Sequence, residues 1–382
     1  MDRNTIIGFV LIALILMVWM SMNAPAPAPP MTAADSAAVI RHHADSLKQI
    51  SEAVRAAQAQ APSPTDTLGK FFGKFVTGAR KTLTIETPLY RATLSSKGGG
   101  IRTWEMKNFR TWDQHPVNLL DAPDGSDFSL LFSTSDGKVV NTKGLYFENS
   151  FADGQVVTLG ENDSVVVRYT LPVADGSTLV KTLVFHGGSY AWDAHYSFEG
   201  MQGILSNFEY QVVWESPLRY NEENSVDESN HAKAGMFSGG EFTEADASDF
   251  DARVHKAVSG RVSWVAARNK YFMVAIIPGE KESNGAELDG IKHHMPDKGA
   301  KEDYSLTLKM PYTGKQVETD RFTVYMGPLE FDVIKSFGID LDKMMSLGFA
   351  WIVRPIAEYA ILPLFKVIHF VIPNYGFVLI IF

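Results

Sequence analysis

Cysteine is absent from this chain of 382 residues. That excludes disulfides, thiolate metal sites and cysteine nucleophiles. It leaves the compartment open, because a chain this long can build a core that needs no covalent staple. Concentrated positive charge is missing as well: 35 Lys and Arg stand against 44 Asp and Glu, with no basic cluster. Neutralising a phosphate backbone needs such a cluster, so nucleic acid is excluded as a partner. The motifs of common catalysts are lacking too. There is no His-Glu-x-x-His, no phosphate loop ending in Lys-Ser/Thr, no dinucleotide fingerprint and no Gly-x-Ser-x-Gly elbow. His42-His43 and His293-His294 are sequence neighbours, which share no face of a helix or strand, so both pairs read as surface histidines. Lys97-Gly98-Gly99-Gly100 imitates a phosphate nest but reads as a turn or bulge between strands. Trp104, Trp112, Trp192, Trp214 and Trp264 suit a sugar cleft or, as aromatics of a β domain usually do, a core.

Charge is also missing from Asn4 to Ala34, and Ile6 to Met20 is almost continuously apolar. Extended through Ser21 and Met22, this run reaches the lower length of a spanning helix, about 17–25 residues. Ile6, Phe9, Leu14 and Trp19 are its anchor candidates, with Trp19 near the outer end, where an indole favours the interface. A cleaved signal peptide is the competing reading, since Ala24-Pro25-Ala26 resembles a cleavage site. Arg3 precedes the run and the next basic residue is Arg41, so the positive-inside rule leaves the N-terminus cytoplasmic.

Five segments are expected. Residues 1–22 form the anchor. Residues 23–80 hold an Ala/Pro spacer, a helical stretch over Thr32–Gln60 and a second linker whose Phe71, Phe72 and Phe75 rest on the membrane or on the domain. Residues 81–330 turn to period two. Trp192, Ala194, Tyr196 and Phe198 alternate with polar residues, as do Tyr304, Leu306, Leu308 and Met310, and then Phe322, Val324 and Met326. Further strands are expected at Leu83–Ile85, Val165–Leu171, Leu179–Phe185, Phe208–Trp214 and Tyr271–Ile277. The fold class is therefore all-β, a large antiparallel sandwich of two stacked sheets flanked by membrane helices. Asn221–Asp251, polar and Glu-rich, is expected to be a mobile surface loop.

Residues 331–373 turn helical. Phe331–Phe337 is placed to cap the sandwich, and Leu341–Ile372 is amphipathic, with Pro355 and Pro363 at kinks or helix starts. On a wheel of about 100° per residue, Arg354, Glu358, Lys366 and His369 fall within about 120°, and the remainder is mostly apolar. Such a helix suits the membrane interface, so Trp351, Arg354, Phe365, Lys366 and His369 are the interface candidates. Residues 374–382 read as the opening of a second span.

Four stretches carry a family resemblance. They are Met1-Asp2-Arg3-Asn4-Thr5-Ile6-Ile7-Gly8-Phe9, then Trp264 to Phe272 running on to Pro278, then Val324-Tyr325-Met326-Gly327-Pro328, and last Pro363 to His369 with Asn374-Tyr375-Gly376-Phe377. In order and spacing the chain resembles the YidC/Oxa/Alb family of membrane protein insertases. The resemblance implies a multi-pass protein of the bacterial inner membrane, N-terminus cytoplasmic, with a large periplasmic β-supersandwich. It implies insertion and folding of nascent membrane proteins, alone or with the Sec translocon and its accessory subunits, in contact with the lipid bilayer and without a cofactor or enzyme chemistry. The insertion groove would lie in a helical bundle beyond these residues. A membrane-anchored periplasmic carbohydrate-binding or carbohydrate-modifying protein is the alternative.

Overall fold

The computed structural model describes residues 68–345, 361–372 and 378. The anchor candidates Ile6, Phe9, Leu14 and Trp19, the Thr32–Gln60 stretch, and Trp351 and Arg354 lie outside the described residues. Among the described residues no helix is long and apolar enough to cross a membrane.

Strands dominate, in three sheets. The five-stranded sheet runs β4 (Pro116–Asp121), β3 (Gly100–Arg110), β2 (Tyr90–Ser95), β1 (Thr82–Glu86), β7 (Gln155–Thr158). The eight-stranded sheet begins β13 (Glu241–Ala245), β12 (Lys233–Ser238), β15 (Val262–Arg268), β16 (Phe272–Pro278). It continues β19 (Val317–Pro328), β10 (Ala191–Glu199), β9 (Ser177–His186), β8 (Ser164–Ala174). The six-stranded sheet runs β14 (Arg253–Ser259), β17 (Gly285–His294), β18 (Ala300–Pro311), β11 (Leu205–Trp214), β5 (Ser129–Thr134), β6 (Val139–Asn141). Named pairs are antiparallel except β1–β7, which is parallel.

The period-two reading holds where one face is wet. Along β18 burial alternates without a break, with Tyr304, Leu306, Leu308 and Met310 inside, and β10 does the same with Trp192, Ala194, Tyr196 and Phe198. The eight- and six-stranded sheets stack, β12 and β15 over β17 and β18. The five-stranded sheet joins the same core, where Trp104 stacks on Tyr90 at 4.0 Å and meets Phe185 of β9 at 6.5 Å. Three sheets therefore replace the two expected, because periodicity tells which face is buried and not which strands pair. The register of β3 against β4 also slips twice, which blurs its alternation.

Two further readings change. The expected Asn221–Asp251 loop holds a short helix, Ser225–Ser229, and both β12 and β13. Its buried residues are mostly small, among them Ala232, Ala234, Ala245 and Ala247, so hydrophobicity marked it poorly. Glu228 is fully buried and accepts from the N–H groups of Asn221 (2.6 Å) and Glu222 (3.0 Å), which turns an apparently solvated acidic run into a structural tie. Phe72 and Phe75, on consecutive short helices, are buried in the main core, so this part of the linker rests on the domain.

Candidate functional site

Period two disappears in β15 and β16, which are buried on both faces. Val265, Ala267, Phe272, Val274 and Ile276 face the main core. Trp264, Ala266, Met273 and Ala275 face a second apolar cluster with Phe237, Tyr325, Ile334, Leu341 and Met344. The helix Phe331–Lys335 and the 3-10 turn Leu341–Met344 supply the last three, so residues 331–345 cover the outer side of the large sheet. This is the cap expected at Phe331–Phe337.

Polar bonds fix the cover in place. Trp264 Nε1 donates to the carbonyl of Ile339 (2.8 Å), and its ring stacks on Phe237 at 5.9 Å. Arg268 is buried and donates to the carbonyls of Met344 (2.9 Å) and Asn269 (3.0 Å). Burial lowers the pKa of that guanidinium, because the charged form has lost water, and Glu244 offsets part of the effect. Gly235 admits the cover: a Cβ there would lie 2.4 Å from Met344 Sδ and 2.5 Å from Phe242.

Geometry also accounts for two of the stretches that carried the resemblance. In Arg268-Asn269-Lys270-Tyr271-Phe272, the Asn269 side chain accepts from the N–H groups of Tyr271 (3.0 Å) and Phe272 (2.8 Å). It donates to the carbonyl of Arg219 (3.0 Å), closing the β15–β16 turn. Lys270 pairs with Asp227 at 2.6 Å. In Val324-Tyr325-Met326-Gly327-Pro328, the Tyr325 hydroxyl donates to the Pro328 carbonyl (2.6 Å), and a Cβ on Gly327 would meet Tyr190 at 2.8 Å.

Beyond the cover comes the helix Leu362–Val371, with Pro363 in its first turn, where a missing N–H costs nothing. Three of the predicted interface residues, Phe365, Lys366 and His369, lie on this helix. Lys366 Nζ is bonded to Asp332 Oδ2 at 2.6 Å, which ties the helix to the start of the cover. Leu364, Val367 and Phe370, at intervals of three, are 52, 62 and 89% exposed, an apolar stripe left open to solvent. The stripe is what sequence reasoning missed at residue level, since the wheel pointed to the charged edge and not to the side chains left uncovered.

Other candidates disperse. Trp104, Trp192, Trp214 and Trp264 are fully buried, and only Trp112 of the five stands exposed. His293 lies 3.6 Å from Asp303, while His294 stacks on Phe250 at 3.8 Å. Gly98 and Gly99, both at positive φ, make the expected turn. Among the described residues no group of three or more His, Asp and Glu is placed to hold a metal.

Comparison with known proteins gives a consistent set of relatives. Residues 82–359 match the family described as the YidC periplasmic domain. The whole chain is 36% identical to the membrane protein insertase YidC of Chloroherpeton thalassium and 37% identical to that of Chlorobaculum tepidum, covering 64% and 63% of those proteins. Solved structures with a partial likeness include an alpha-N-acetylgalactosaminidase from Bifidobacterium bifidum (TM-score 0.43, 12% identity, 69% of this chain and 39% of that one). Another is a GalM/aldose epimerase homologue from C. elegans (TM-score 0.35, 8% identity, 65% and 99%).

Proposed function

The chain belongs to the YidC family, and on that premise we propose that it forms the periplasmic part of a membrane protein insertase of the bacterial inner membrane. The observation that carries the reading is similarity to insertases along the whole chain, of which it spans 63–64% of their length. The N-terminal run anchors it with the terminus in the cytoplasm. The sandwich stands in the periplasm, and the stripe Leu364, Val367 and Phe370 lies in the membrane interface with Lys366 and His369 at its polar edge.

In this reading the domain sets the pose of the chain at the bilayer, and insertion belongs to the part of the relatives that this chain does not span. Polar groups cross hydrocarbon at a cost of several kcal/mol, which a wet groove in thinned bilayer reduces. The clients are nascent membrane proteins, received alone or from the Sec translocon. No cofactor or bond-making chemistry is required.

A depletion assay tests this. Membrane vesicles lacking their own insertase are supplied with the full-length protein containing this chain, and a small Sec-independent client is scored by protease protection. Restored protection is the expected result. A client that stays unprotected, while the protein is folded and membrane-embedded, contradicts the reading.

A further inference from the structure

The turn between β3 and β4 is exposed yet firmly organised. Thr111 donates through its N–H (2.9 Å) and its hydroxyl (3.2 Å) to the carbonyl of His115, whose own N–H donates to Thr111 Oγ1 (3.1 Å). Asp113 accepts from the Thr111 hydroxyl and lies 3.0 Å from His115 Nδ1. Facing this turn is the segment 219–221, tied to it where Trp112 N–H donates to the Asn221 carbonyl (3.2 Å) and Arg219 N–H to the Leu119 carbonyl (3.1 Å). A cavity of about 430 Å³ opens between the two, within the range of small-molecule sites.

On its wall stands Trp112, 56% exposed, the one tryptophan among the described residues left out of a core. Leaving an indole in water on a rigid turn forgoes burial energy that the other tryptophans gain. Pro116 and Tyr220 add some apolar surface and the rest of the wall is polar, with Arg219 3.5 Å from Asp121 and Asp113 accepting from the Thr111 hydroxyl. With no cation in want of a partner, the wall does not suit a phosphate or a carboxylate. With this polarity it does not suit an acyl chain. Two amides line it with unused hydrogen-bonding atoms. Asn118 engages only its Oδ1, which accepts from Trp104 N–H (3.2 Å). Asn221 engages its Nδ2, which donates to the Arg219 carbonyl (3.1 Å) and faces the Glu228 carboxylate, and leaves its Oδ1 free. One free donor group and one free acceptor beside a flat aromatic face match a pyranose ring, which offers hydroxyls at its rim and C–H groups on its face.

We propose that the Trp112 cavity is a binding site for neutral glycan units, the sugar stacking on the Trp112 indole with its hydroxyls bonded to Asn118 and Asn221. The site is independent of the insertase reading, since it draws on neither the terminal helix nor the cover. Only this fragment of the sugar-cleft expectation survives, one tryptophan of five.

The test is calorimetric titration of the full chain, held in a detergent without a sugar headgroup, with chitotetraose and with cellotetraose. Controls are inorganic phosphate and an uncharged apolar decapeptide. The expected result is millimolar or tighter binding of at least one oligosaccharide. Trp112→Ala should weaken it about tenfold or more, and Trp112→Phe should largely retain it, both with an unchanged Tm. Loss of binding with loss of Tm in Trp112→Ala is decided by Asn118→Ala, which must then weaken binding at an unchanged Tm, while Trp112→Phe must retain it. No oligosaccharide binding at about 10 mM overturns the proposal, as does equal binding by Trp112→Ala. Engagement of this site only by phosphate or only by the decapeptide also overturns it.

Discussion

Residues 331–345 and 361–372 both bring apolar side chains toward the C-terminal end, and they place them in opposite ways. The first stretch buries Ile334, Leu341 and Met344 on the outside of β15 and β16, held by Trp264 and Arg268. The second leaves Leu364, Val367 and Phe370 in the open, with the Lys366–Asp332 ion pair tying it back. A buried cover gains stability from packing, roughly 25 cal/mol per Å² of apolar surface. An exposed stripe gains nothing until another surface arrives. The difference separates a part that is complete in itself from a part that awaits a partner, which in the account above is lipid.

Breaking the cover should give the largest effect. Trp264→Ala removes a fully buried ring and the bond to Ile339, and should cost about 3–5 kcal/mol. Hydrogen exchange across residues 331–345 should rise with it. Global destabilisation without local exposure there would mean that the cover is held by something other than Trp264.

The main core offers an independent contrast. Lys181 is fully buried on β9 beside the rings of Phe128 and Tyr196, its Nζ bonded to the Phe128 carbonyl. Burial pushes its pKa down to about 7, and the nearby Asp127 offsets only part of that. Since the unfolded chain holds this proton up to about 10.5 and the folded one releases it near 7, the unfolded state binds more protons between those values. Stability should therefore rise with pH over that window and be lowest below it. Lys181→Met should flatten that rise, read by chemical denaturation from pH 6 to 10. It should leave exchange at residues 331–345 as it was. An unchanged pH slope in the variant would show that other groups carry it.

Changes in the stripe should act on partition and leave folding alone. Replacing Leu364, Val367 and Phe370 together by Gln should leave Tm in place and weaken binding to lipid vesicles at least about tenfold, or about 1.4 kcal/mol. A lowered Tm would show that the stripe is packed on protein. The smallest effect is expected from Lys366→Ala, since both partners of its ion pair are more than half exposed. Such pairs contribute about 0–1 kcal/mol, so a larger loss would make this link part of the cover.

The same contrast governs what could be read from sequence. One-sided strands such as β10 and β18 announced themselves by alternation. β15 and β16 lost theirs because the cover buries their second face, and nothing local in Val262–Arg268 reveals an element about 70 residues away. In β12 Ala234 and Met236 face the main core, while Gly235 lies on the opposite side, where the approach of Met344 leaves no room for a side chain. The amphipathic stretch was visible because its pattern is contained in one helix. Which of its side chains stay uncovered depends on what the rest of the chain brings to it, as does the choice of Trp112 rather than its four counterparts for exposure.

The absence of cysteine makes the decisive measurement simple, because a single introduced thiol is the only one in the chain. Spin labels placed one at a time through Val367→Cys and Phe370→Cys, with Asp297→Cys in an exposed loop as the water reference, are compared in lipid vesicles. Collision with oxygen reports lipid, and collision with a water-soluble nickel chelate reports solvent. The account predicts that positions 367 and 370 are oxygen-accessible and shielded from nickel, while 297 behaves oppositely. Nickel accessibility at 367 and 370 equal to that at 297 would contradict it.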